Sequence, residues 1–414
     1  MISSKKKVKI MNSLNLPIHY ASITDRLADL GDAKWAVHVE SRKRRKKGDH
    51  IIELTIGEPD MPPPSAVIEA AVTSLRAGNT HYAGGRGVES VLDTIAAKYS
   101  SRCGRQITSE NVIYVPGTQS ALYLAMMGLV EHGDEVIVAD PFYATYEGVI
   151  RATGADLITV PLCPQEAFHL NANDLEKAIT PRSRVLLLNS PHNPTGATLS
   201  AEEIAEIVAV CEKHNLWIIS DEVYEDMAFG AQFASPFDID AGGRRTIVVS
   251  SISKSHMLPG FRSGWCVGPK EAIERILPLS EMMLFGAQPF LMDATVVALE
   301  GDFPECRAQC DALADRANAV MGALGNVPGL LLTKPEGGMF IMIGVGATGL
   351  DGEAFSWRLL EEENVAVMPG GSFGDMGKDF IRVSLGHDKE VMLKACQHIA
   401  NLATRLVDDQ MKTG

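Results

Sequence analysis

Short runs of apolar and β-branched residues recur along the chain at 112–115, 135–139, 157–161, 185–188, 217–220, 247–250 and 264–267. Between several of them lie longer stretches in which apolar positions return every three or four residues, as in 201–214, where Ser200 and Glu203 form a capping box. Strands that alternate with helices predict an α/β fold: a mostly parallel sheet covered on both faces. Such a sheet collects ligands beyond the carboxyl ends of its strands.

After residue 301 the rhythm changes to longer helical patterns, 305–324 and 352–363, with strands at 339–343 and 380–385. This predicts three segments: an N-terminal arm and helix over 1–50, a large lobe over 51–300 and a smaller α/β lobe over 301–414. One helix is expected at 21–47, packed with the small lobe. Its end carries Arg42 to Lys47 before Gly48, where cations suit a helix terminus as well as a basic patch.

Composition narrows the function. With 414 residues, 46% hydrophobic, and a net charge of −14, the chain has room for a large core but lacks the clustered cations of a nucleic-acid binder. Seven scattered cysteines read as reduced thiols of a cytoplasmic protein, and Cys306 with Cys310 lacks further ligands at metal spacing. The basic start, Met1 to Lys7, has no apolar stretch behind it for a secretory signal, and no run is long enough to cross a bilayer.

The candidate chemistry sits just past the predicted strands. Asp221 and Tyr224 follow the strand ending at 220, Asn193 the strand at 184–189, and Lys254 the strand at 246–250. Lys254 is an amine that could condense with an aldehyde and then move a proton. Asp221 could hold a pyridinium nitrogen in its protonated form, while Asn193 and Tyr224 could donate to a phenolic oxygen. Arg262, Ser251 and Ser253 supply a charged fork and hydroxyls for a phosphate. Gly117, Thr118 and Gln119 open a predicted helix at 119–130, whose free N–H groups make a second anion contact, and Tyr143 could stack on a ring. Together these residues call for pyridoxal 5′-phosphate. Singly, each has an ordinary explanation as a helix cap, a turn residue or a solvated charge.

Residues 56–60 (Ile-Gly-Glu-Pro-Asp), Asn193-Pro-Thr-Gly196, Asp221-Glu-Val-Tyr224 and Ser-Lys254 followed by Gly260-Phe-Arg262 are similar, in this order, to the marks of the class I aminotransferases. The resemblance runs from about residue 51 to the C-terminus. It implies the aspartate aminotransferase fold, called fold type I among pyridoxal-phosphate enzymes, with a seven-stranded sheet. It also implies ping-pong transfer between an amino acid and a 2-oxo acid through Lys254. By the same resemblance Arg382, Gly57 and Asn193 would bind substrate, Tyr82 would reach a neighbouring subunit's phosphate, and the protein would be a homodimer with shared active sites. Segments 78–82 and 253–256 look most like the arginine–pyruvate branch. The donor stays undetermined among arginine, aromatic and other neutral amino acids: no Lys or Arg stands in 122–127 or 282–290, and Met127, Met283 and Phe285 suggest an apolar or adaptable pocket.

Other classes remain to be separated. The same cofactor could support β-elimination instead of transfer. Gly344, Gly346 and Gly349 form a Gly-x-Gly-x-x-Gly match to a dinucleotide loop, but too near the C-terminus for a double βαβαβ unit. A non-catalytic regulator would need a DNA-binding module, for which the first fifty residues are marginal.

Overall fold

The computed structural model describes residues 20–30, 32–230, 232–239 and 244–413. The basic start at Met1 to Lys7 therefore lies outside the described residues. Seven strands form one sheet in the order Val112–Val115, Gly264–Val267, Thr246–Ser251, Trp217–Asp221, Ser183–Asn189, Glu135–Asp140, Asp156–Pro161. Only Gly264–Val267 runs antiparallel to its neighbours.

The sheet is buried on both faces, which is why its strands read as continuous apolar runs rather than alternating ones. Val136 and Val138 face a cluster with the helix Thr118–Leu129, and Ile137 and Ala139 face a cluster with the helix Ala201–Lys213. Ser200 caps the latter helix as the sequence predicts: its hydroxyl accepts from the Glu203 N–H, and the Glu203 carboxylate accepts from the Ser200 N–H.

A second, antiparallel sheet runs Met368–Pro369, Phe380–Ser384, Phe340–Gly344, Leu331–Leu332. Its core joins the helices Pro304–Leu324 and Lys389–Thr413 and extends to Leu54, Tyr224 and Met227, so the two sheets meet beside the expected site. The glycine match at 344–349 leaves this sheet through a single short turn, with Gly349 at φ +81°, and no βαβ unit follows it.

The single helix expected at 21–47 is corrected by the structure. Ser22–Leu27 and Ala36–Lys46 are separate helices, joined by tight turns that include Asp32–Trp35. The break follows from tertiary contacts: Trp35 packs beside Ala144, Met368 and Phe373, and the Ser372 hydroxyl donates to the Lys34 carbonyl. The first helix lies on Tyr146–Thr153, where Arg26 donates to the Arg151 carbonyl, and only the second packs on the smaller sheet's elements. Three cations of the basic run are paired: Arg42 and Arg45 bind Glu53, and Arg44 binds Asp49 and Asn364.

No helix among the described residues is long and apolar enough to cross a membrane.

Candidate active site

Strand register brings the chemistry to one edge. Asn189 lies opposite Asp221, Asp221 opposite Val249, and Ser251 opposite Gly264, which also faces Val115. The loops leaving these strand ends carry Asn193, Tyr224 and Lys254, the turn entering Gly264 carries Arg262, and the turn after Val115 carries Gly117 and Thr118. They enclose a cavity of about 250 Å³ lined by Gly57, Thr118, Gln119, Tyr143, Asn193, Asp221, Tyr224, Ser251, Ser253, Lys254, Arg262 and Arg382.

Lys254 donates from Nζ to the Gly57 carbonyl at 2.6 Å. Burial pulls its pKa down to about 8, with Arg382 and Arg262 lowering it further against Glu58 and Asp221. A useful fraction of the amine is thus neutral near physiological pH. Burial also pushes Asp221 up to about 6, opposed first by Tyr146, whose hydroxyl donates to Oδ2 at 2.7 Å. The Val223 N–H is the other donor, to Oδ1 at 3.3 Å, so no cation is bonded to this carboxylate.

Arg382 is a buried cation of the cavity left incomplete. It is 2% exposed and lies between two rings, its guanidinium carbon 4.0 Å from the Phe340 centroid and 4.2 Å from that of Phe373. Nη1 donates to Asn193 Oδ1 at 3.0 Å and Nη2 to the Thr55 carbonyl at 2.6 Å, yet Nε has no partner. Burial without a paired carboxylate lowers its pKa to about 9. A buried cation held only by neutral groups is costly unless an anion completes it.

The residues suit a phosphorylated cofactor by the same reasoning. The helix Thr118–Leu129 begins without a side-chain cap, the buried Thr118 Oγ1 has no partner, and Arg262 sits alongside. Gly117 is at φ +82°, and a Cβ there would overlap the Arg262 guanidinium, so the turn needs glycine to bring backbone N–H groups this close to a cation. Tyr143, half-buried and edge-on to Tyr146 at 5.5 Å, forms a ring wall, and burial raises Tyr224 well above the usual phenol. Thus Thr118 and Arg262 suit an anion, Asp221 suits a protonated ring nitrogen, and Arg382 suits a carboxylate, all on the wall of one cavity.

Tyr82 is not gathered here. It is 87% exposed and stands edge-on to Phe285 at 5.0 Å, outside the cavity. Met127, Met283 and Phe285 do not line the cavity either, which corrects the expectation of a pocket built from them. Met127 is half-buried on its helix, and Met283 and Phe285 lie on an exposed turn at Ser280–Leu284 and beyond. The apolar walls are instead Trp35, Ile56, Leu122, Val223, Pro259 and Phe340. Among the described residues no group of three metal-binding side chains assembles, and burial pushes Cys306 up to about 11.

Three contributors escaped the sequence reading. Tyr146 opens the helix Tyr146–Thr153 three residues after Tyr143, its N–H donating to the Tyr143 carbonyl in the turn between them. Trp35 and Phe340 come from distant segments, and only tertiary packing reveals them.

The family described as aminotransferase class I and II matches residues 49–399. An arginine–pyruvate transaminase of Pseudomonas aeruginosa is 39% identical over 390 residues, covering 94% of this chain and 99% of that protein. An aspartate aminotransferase from Rhizobium meliloti has a similar structure, with a TM-score of 0.88 and 28% identity over 94% of this chain and 99% of its own. An aromatic aminotransferase from Pyrococcus horikoshii gives a TM-score of 0.83 at 29% identity, over 90% of this chain and 99% of its own.

Proposed function

We propose a mechanism and a substrate class for this chain, which belongs to the class I and II aminotransferases. The protein is an aminotransferase, moving an amino group between an amino acid and a 2-oxo acid. The family works with pyridoxal phosphate, and we assign Lys254 as its point of attachment, Asp221 as the partner of its ring nitrogen and Asn193 and Tyr224 as donors to its phenolic oxygen. Arg262, Ser251, Ser253, Gly117, Thr118 and Gln119 hold its phosphate, with Tyr143 against its ring. The bound cofactor supplies the electron sink that makes a substrate Cα proton acidic.

The chain's own groups do the rest. Arg382 takes the substrate carboxylate through its free Nε edge, with Asn193 and Gly57 beside it, and so fixes the Cα near Lys254. Lys254 would remove the donor's Cα proton as a base and, in the half-reaction with the 2-oxo acid, deliver a proton to that acid's Cα, roles suited to a pKa near 8. Asp221 remains anionic because Tyr146 donates to it. The observation that carries this reading is the buried, half-satisfied Arg382 guanidinium beside a neutralisable lysine.

The donor's side chain is neutral or cationic in this proposal. Lys254, Arg262 and Arg382 are the three cations among the described residues that line the cavity, all committed, so a second carboxylate finds no cation there. The 39%-identical relative is named for arginine and pyruvate, which suits that class. The proposed division puts the large lobe over 51–300 and the small lobe over 301–413, with 20–50 as the described part of the arm. A cytoplasmic homodimer is proposed, in which the exposed Tyr82 and Phe285 face the partner. The test is a panel of donors, among them alanine, phenylalanine, arginine and aspartate, against pyruvate and 2-oxoglutarate. Transfer from neutral or basic donors with parallel double-reciprocal lines is expected; aspartate as the best donor would contradict the proposed pocket.

A further inference from the structure

The geometry points to His169 as a positioning residue for the substrate-carboxylate clamp, acting through Glu336 and the turn Asn193-Pro-Thr-Gly196. This rests on reading Arg382 as that clamp.

His169 lies outside the cavity, yet it is gripped from both sides. Nδ1 is 2.6 Å from Glu203 Oε1 and Nε2 is 2.8 Å from Glu336 Oε2. Two carboxylates can both accept only from a ring that carries both protons, so His169 is an imidazolium. The hydrogen bond to Glu336, with that to Glu203, raises it to about 9. The other titratable neighbours fit this state. Lys334 sits beside Glu336, and His192, pushed down to about 4 by burial, stays neutral.

Glu336 transmits the grip. The oxygen that meets His169 also accepts from the Thr198 N–H at 3.0 Å. The backbone N–H groups of Glu336 and Gly337 both donate to the Gly196 carbonyl, at 2.8 and 2.9 Å. Gly196 is at φ +77°, and a Cβ there would overlap Pro335, so turn and connection are pressed together. From the turn comes Asn193, which accepts from Arg382; from the connection comes Phe340, which stacks on it. The same knot therefore sets two of the contacts that aim the guanidinium.

Without a cation at 169, Glu203 and Glu336 lose the group that both of them bind, and the knot loosens. The holoenzyme, His169→Leu, His169→Gln and Arg382→Lys are compared for donor KM, kcat, cofactor dissociation constant and Tm. His169→Leu is expected to raise donor KM about three- to thirtyfold while kcat and cofactor affinity move less than about twofold. His169→Gln, which keeps one donor toward Glu336, is expected to fall between it and the wild type. An unchanged KM in either folded variant overturns the proposal, whether or not its Tm falls, as does a matching loss of cofactor affinity. Should His169→Leu fail to fold, His169→Gln decides alone. An unchanged KM in Arg382→Lys instead overturns the clamp reading, which separates the two failures.

Discussion

Asp221 and Glu222 are adjacent, both buried, and treated in opposite ways. Glu222 is completed from within: Arg102 binds Oε2 at 2.8 Å, and Ser220 and Ser235 donate to Oε1. Arg102 in turn binds Glu225 and Asp238, and Lys98 also binds Glu225. Asp221 has a phenol and one long backbone contact, and no cation. One carboxylate holds the fold together. Its neighbour makes no ion pair among the described residues. The difference bears on function: Arg382 Nε and Thr118 Oγ1, both buried and without a partner, line the same cavity as Asp221, whereas Glu222 and its ion pairs lie outside it.

That contrast breaks most sharply at Lys254. Lys254→Ala is expected to lower kcat by about 10⁴-fold or more while leaving the urea midpoint close to wild type. Glu222→Ala should do the reverse. Removing one side of a buried pair costs roughly 3–5 kcal/mol, read in urea unfolding, and whatever enzyme stays folded should keep its turnover.

Asp221→Asn sharpens the comparison by making function and stability diverge. Its folded pKa, raised from 3.8 to about 6, means that ionisation costs the cofactor-free fold. That cost is absent below about pH 4, grows through pH 6 and is complete above it. The cofactor-free variant should thus be more stable than wild type at pH 8 by about 1–3 kcal/mol, with the gain vanishing near pH 4, although its activity falls at least about a hundredfold. Tyr146→Phe removes the donor that keeps Asp221 ionised. It should raise the acid limb of the kcat/KM profile by about half to one pH unit.

Much of the fold was legible because buried parallel strands are short and almost wholly apolar, and their ends are marked by polar residues. All seven predicted strands fall within a residue or two of those observed. The helix predicted at 21–47 was not, because propensity alone does not register the pull of Ala144, Met368 and Phe373 on Trp35. The same limit hid Phe340, which reaches Arg382 through a contact with no counterpart in local spacing. Residues at strand ends converge by a topological rule, so Lys254, Asp221 and Asn193 could be grouped from the sequence. Met283 and Phe285 could not be placed, since a turn at the protein surface follows no such rule.

The central claim is that Lys254 carries the cofactor. Enzyme loaded with pyridoxal phosphate, reduced with borohydride, digested and sequenced by mass spectrometry tests it directly. A single pyridoxyl-modified peptide bearing the mass on Lys254 is predicted. Modification at another lysine, or a protein that retains no pyridoxyl group after reduction, would contradict the account.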